Sequence, residues 1–198
     1  MRRSDFTAAA VAVAVGLSAS YAYAQEFTAH LKGFNEIGSI PNGATYAQSY
    51  TGAILSDGTA TATLDLDKNT GTVAYKLTYS NVGTTAPLTG TVLFAHIHFG
   101  KSRDSGGILV FFCTNVAFAG TGPTPPPCGG NSGTVSGTWT AANVQAIPGQ
   151  NVAAGDFDAL VDALFSNTAY ANIHTTALTG GEIRGQVYPV EHDHDQGH

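Results

Sequence analysis

The sequence predicts an all-β protein, an antiparallel β-sandwich or barrel with one short helix, and three observations carry that prediction. Apolar and polar residues alternate with period two through most of the chain, as half-buried strands require. Gly, at 24 residues, and an equal number of Thr supply turn and strand formers, while helix-favouring Lys, Arg and Glu are scarce. Finally, about eight or nine short strands follow one another with no linker and no internal repeat, which suits one domain.

Residues 1–24 read as an export signal. Arg2 and Arg3 precede the apolar run 8–17, and Ala22-Tyr23-Ala24 places small residues at the cleavage positions. The run is too short to span a bilayer and no later one reaches that length, so a soluble periplasmic or secreted product is expected. The residues after Arg2-Arg3 fit a twin-arginine signal poorly, which favours the general secretory route. A mature chain beginning at Gln25 loses two Arg and one Asp, moving the formal charge from −6 to −7.

In the domain expected over 25–190, Phe27, Ala29 and Leu31 oppose Thr28, His30 and Lys32. Ala60, Ala62, Leu64 and Leu66 oppose Thr59, Thr61, Thr63 and Asp65; the turn 67–71 then leads into Val73, Tyr75, Leu77 and Tyr79, which reads as a hairpin. Further strands are expected over 46–55, 89–99, 107–113, 133–139, 170–175 and 182–188. One segment changes period: Phe157, Leu160, Val161, Leu164 and Phe165 fall at helical spacing with Asp156 placed to cap them. That short helix is expected across one end of the fold, and 140–147 as another helical turn ended by Pro148-Gly149.

Composition removes two function classes. An apolar content of 43% excludes a disordered chain, and eight Lys+Arg against fourteen Asp+Glu leave no cationic footprint for nucleic acid. Cys113 and Cys128 are expected to pair, since export favours disulfides; a thiolate ligand or nucleophile is the competing reading. A bridge over about fifteen residues stabilises by roughly 3 kcal/mol in the loop-entropy model.

The histidines carry the chemistry. In the strand Ala95-His96-Ile97-His98, residues i and i+2 share a face about 6.5 to 7 Å apart, so His96 and His98 suit one metal ion. Leu93, Ala95, Ile97 and Phe99 face the other way. The split recurs in Ala171-Asn172-Ile173-His174 and in 182–187, where Glu182, Arg184 and Gln186 oppose Ile183 and Val187. If these strands are neighbours, His96, His98 and His174 form a metal site with Asn172, Glu182 and Arg184 around it. The competing readings are a solvent-facing His pair and a surface Glu182–Arg184 ion pair. His30, beside Thr28 and Lys32, is a fourth candidate ligand. The tail 191–198 has no apolar residue and reads as disordered, with His192, His194 and His198 alternating with acids as a loose metal trap or as a solvated end. The only Met is Met1 and both Cys are taken, so thioether and blue-copper sites are excluded; imidazoles then favour Cu(II), and Zn(II) after it.

At these residues the chain resembles the CHRD family. The resemblance runs from Phe27-Thr28-Ala29 and Phe34-Asn35-Glu36, through Gly58-Thr59-Ala60 and Ala95-His96-Ile97-His98, to Asn172-Ile173-His174-Thr175 and the run 180–186. It implies an all-β, Greek-key, immunoglobulin-like or dismutase-like barrel. A more distant likeness is to Cu/Zn superoxide dismutase, with His96, His98, His174 and Arg184 in the copper-side places. The zinc subsite has no counterpart, because 99–170 contains no histidine, and a fourth imidazole would have to be His30. The resulting reading is an exported metal protein that binds, buffers or delivers copper rather than catalyses a reaction. The alternatives are a copper-dependent dismutase and a non-catalytic extracellular interaction module, with another exported protein as partner.

Overall fold

A computed structural model describes residues 24–37, 39–40 and 50–191. Residues 1–23 of the export signal expected over 1–24, residues 192–198 of the tail expected over 191–198 and part of the strand expected over 46–55 lie outside the described residues. The strands are β1 (Gln25–Lys32), β2 (Ser39–Ile40), β3 (Tyr50–Thr51), β4 (Thr59–Asp67), β5 (Thr72–Ser80), β6 (Val92–Phe99), β7 (Ile108–Thr114), β8 (Gly133–Trp139), β9 (Ala169–Thr175), β10 (Ile183–Gln186) and β11 (Tyr188–Pro189), with one helix, α1 (Phe157–Phe165). One antiparallel sheet runs β7-β6-β9-β10-β1-β4-β5-β8, with β11 also on β1; β2 and β3 form a separate ribbon.

The sheet curls into a nearly closed barrel. Among the described residues no backbone ladder joins its ends, β7 and β8, and side chains bridge them instead. The Trp139 indole N–H donates to the Phe111 carbonyl at 2.8 Å and the Tyr75 hydroxyl to the Phe112 carbonyl at 3.0 Å. The inward set, including Phe27, Leu31, Leu64, Leu77, Ile97, Phe112 and Ile173, is fully buried. Each such side chain stabilises by about 1.5–3 kcal/mol. The β4–β5 hairpin turns where expected: Asp67 Oδ1 accepts from the Asn69 N–H at 2.8 Å, and Gly71 takes the positive φ of +64° that the turn requires. The α1 helix packs at one barrel end, with the Asp156 carboxylate accepting from the Ala159 N–H at 3.0 Å and Leu160 and Leu164 buried.

Four expectations change. Of 46–55, only Tyr50–Thr51 is a strand among the described residues. Instead of one turn over 140–147 there are two single 3₁₀ turns, Ala141–Asn143 and Pro148–Gln150. Pro148 opens the second rather than ending the first, because its fixed φ suits a first helical position. The segment 182–188 divides, β10 lying between β9 and β1 while β11 pairs with β1 alone. Leu93 does not join the core. A register shift between Val92 and Phe94 reverses the facing there, and Val92 is buried in its place.

Candidate metal centre

The strands that carry the three histidines are neighbours. Along β6 and β9, Phe94 lies opposite His174, His96 opposite Asn172, and His98 opposite Tyr170, so the odd-numbered partners Ala95, Ile97, Ala171 and Ile173 fill the barrel and the even-numbered set faces outward. The imidazole centres are 4.3 Å apart for His96–His98, 4.6 Å for His96–His174 and 6.3 Å for His98–His174. One ligand nitrogen from each lies within 4.8 Å of the others.

This outer face is nevertheless largely covered, His96 being 1% and His174 7% exposed, with His98 half-buried. Two segments cover it. The loop 100–106 folds back until Gly106 lies against Phe99, where a Cβ would stand 1.7 Å from the Phe99 carbonyl oxygen, so only glycine fits. Arg184 holds this loop, donating through one guanidinium nitrogen to the carbonyls of Lys101 at 2.8 Å and Asp104 at 2.9 Å. The turn after β1 supplies the second cover, with Asn35 donating to the Arg184 carbonyl at 3.1 Å and Glu36 accepting from the Asn172 amide. Aromatic rings complete the walls. Phe94 stacks on His96 at 5.2 Å, Phe111 meets it edge-on at 5.3 Å, and Tyr170 stacks on His98 at 4.6 Å with Arg184 on the Tyr170 ring at 3.3 Å.

The hydrogen bonds fix the tautomers. Carbonyls only accept, so the bonds from His98 Nδ1 to Gly106 at 2.7 Å and from His174 Nδ1 to Thr179 at 2.8 Å place a proton on each Nδ1 and leave the lone pairs on Nε2. His174 Nε2 and His96 Nδ1 are buried with no partner. A carbonyl that orients the second ring nitrogen is the usual support of a metal-bound imidazole. Burial pushes all three groups towards the neutral form. It drives His96 well below its ordinary range, aided by His98 and His174, and takes His98 and His174 down to about 4 against the pull of the Gly106 and Thr179 carbonyls. Neutral imidazole is the form that binds a metal.

The other candidates separate. Asn172 sits across from His96, joined to Glu36, with its Oδ1 buried and unpartnered. Arg184 supports the site through the loop and Tyr170, and it does not serve the expected surface pair. Glu182 is buried but directed to Ser56 Oγ at 2.7 Å and the Gly83 N–H at 2.8 Å, so its carboxylate ties two loops rather than an imidazole. His30 is not brought into the group. It stands exposed on β1 with Nδ1 3.3 Å from the Thr61 hydroxyl, as its place opposite the inward set requires. His192, His194 and His198 lie outside the described residues. Cys113 and Cys128 form a disulfide, which removes them as ligands. Tyr170, Phe94 and Glu36 join the site beyond the residues the sequence points to; Tyr170 and Phe94 share the parity of His174 and His96, a facing visible in the sequence, whereas no local signal marks Glu36.

A CHRD domain model matches residues 27–187. No curated protein matches the chain.

Proposed function

The chain belongs to the CHRD domain family, and we propose that it is an exported member that binds a transition metal, copper ahead of zinc, through His96, His98 and His174. The observation that carries this reading is that His96 Nδ1 and His174 Nε2 are buried without a partner while the three imidazoles stand close enough together to share an ion. Leaving a buried acceptor unsatisfied costs about 1–3 kcal/mol, and an ion shared by the three rings removes that cost twice. Three ligands spaced evenly about an ion with bonds of about 2 Å are about 3.5 Å apart, so the separations of up to 4.8 Å close by about 1.3 Å on binding.

Copper is favoured because imidazole suits it and no described carboxylate joins the group to complete the four ligands that zinc prefers. The Cys113–Cys128 disulfide supports export, since such bonds persist in oxidising compartments. Binding, buffering or delivery is favoured over dismutation because His30, the remaining candidate for a fourth imidazole, is engaged with Thr61. The tail histidines act as a weaker collector. Metal analysis of untagged full-length protein with His192, His194 and His198 changed to alanine tests the reading: one copper per chain, held tighter than micromolar, is expected. Failure to hold copper or zinc at that strength would sink it in favour of a metal-free interaction module.

A further inference from the structure

We infer that the ion this centre is built to hold is Cu(I) rather than Cu(II), an inference that rests on the copper-binding reading above. Charge is the first argument. The solvation lost by an ion on burial grows with the square of its charge, so a doubly charged ion forfeits about four times as much as a singly charged one. That loss has to be recovered from the ligands. Here all three are neutral imidazoles, and among the described residues no carboxylate or thiolate joins them. Glu36, a buried carboxylate beside the site, is bonded to the Asn172 amide and acts on Arg184, whose guanidinium lies over Tyr170 and acts on His98 as a positive charge. A second positive charge on the ion therefore has no carboxylate ligand among the described residues to offset it.

Coordination number is the second argument, and it is independent of the first. Cu(II) favours tetragonal arrangements of four or more N or O ligands, whereas Cu(I) is satisfied by three. Among the described residues the group offers three. Water is the usual source of the missing ligands, and Phe94, Phe111 and Tyr170, packed against the imidazoles, narrow its approach to a group in which His96 and His174 are buried and His98 is half-buried. Soft sulfur ligands are the common means of selecting Cu(I), and none joins the group among the described residues, where both cysteines are paired. Burial and a short ligand count take over that selection, which is why the preference is invisible to an argument from ligand type alone.

The experiment is a pair of competition titrations on untagged full-length protein with the three tail histidines changed to alanine. One uses a Cu(I)-specific chelator under anaerobic reducing conditions and the other a Cu(II) chelator in air. Cu(I) is expected to bind about 100-fold more tightly or better, which places the bound couple about 120 mV above that of free copper at 59 mV per tenfold. Equal or tighter binding of Cu(II) would overturn the inference and leave copper binding standing. Binding of neither ion would overturn the copper-binding reading itself. Phe111→Glu tests the cause, because it brings a carboxylate beside His96: the Cu(I) preference should fall at least about tenfold. An unchanged preference in a folded variant would remove the charge argument.

Discussion

The outer faces of β4–β5 and of β6–β9 belong to one sheet and obey one alternation, yet they meet opposite fates. On β4 and β5 the outward residues Thr59, Thr63, Asp65, Lys76 and Thr78 are exposed, and the burial pattern follows the sequence residue by residue. On β9 every residue is buried, the outward Tyr170, Asn172 and His174 along with the inward Ala171 and Ile173. Water satisfies polar groups on the first face. On the second, each polar atom has to find a protein partner or keep its capacity for a ligand. Alternation tells which way a side chain points; what lies over it is decided by loops far away in the chain.

That contrast can be broken experimentally. The largest effect is expected for copper affinity: His174→Ala should weaken it about a thousandfold, more than the 10–100-fold typical of supporting residues, whereas His30→Ala on the exposed face should change it less than about threefold. Equilibrium dialysis checks both, and equal losses would erase the distinction between the faces.

Acid comes next. His98 and His174 are held down to about 4 in the fold, so the unfolded chain takes up protons first as the pH falls. Their contribution is fully present above about 6.5 and is lost progressively towards 4. Between pH 7 and 4.5 the metal-free protein should lose about 2 kcal/mol for each of these imidazoles, measurable by denaturant melts. Replacing both by Gln should flatten that slope.

Arg184→Met removes the guanidinium over Tyr170 and the donors to Lys101 and Asp104, a loss of about 1.5–3 kcal/mol with faster hydrogen exchange in the loop 100–106. The smallest effect is expected where water already does the work: Thr63→Val should stay within about 0.5 kcal/mol of the parent in a thermal melt. A larger change would mean that the solvated face, too, is holding structure.

Much of this was legible before the fold was known. The parity of His96, His98 and His174, the hairpin at 67–71 and the Asp156-capped helix all follow from local spacing and residue type. Leu93 misled because a register shift reverses parity without leaving a compositional mark. Glu182 misled for another reason: its facing matched His174, but a long side chain chooses among loops that strand periodicity does not place. The burial of Arg184 is a tertiary fact of the same kind. Nothing local in Gly100–Gly106 says that it folds over a strand, although glycines at both ends leave the backbone free to do so.

The seam between β7 and β8 has a consequence of its own. The ends of an open sheet offer unpaired carbonyls to any passing strand and so act as templates for aggregation. Here the Phe111 and Phe112 carbonyls are already occupied by Trp139 of β8, directly across the seam, and Tyr75 of the neighbouring β5. Two ring-bearing residues thus do for this edge what charged residues or prolines do elsewhere, making it a poor place for a second chain to add itself.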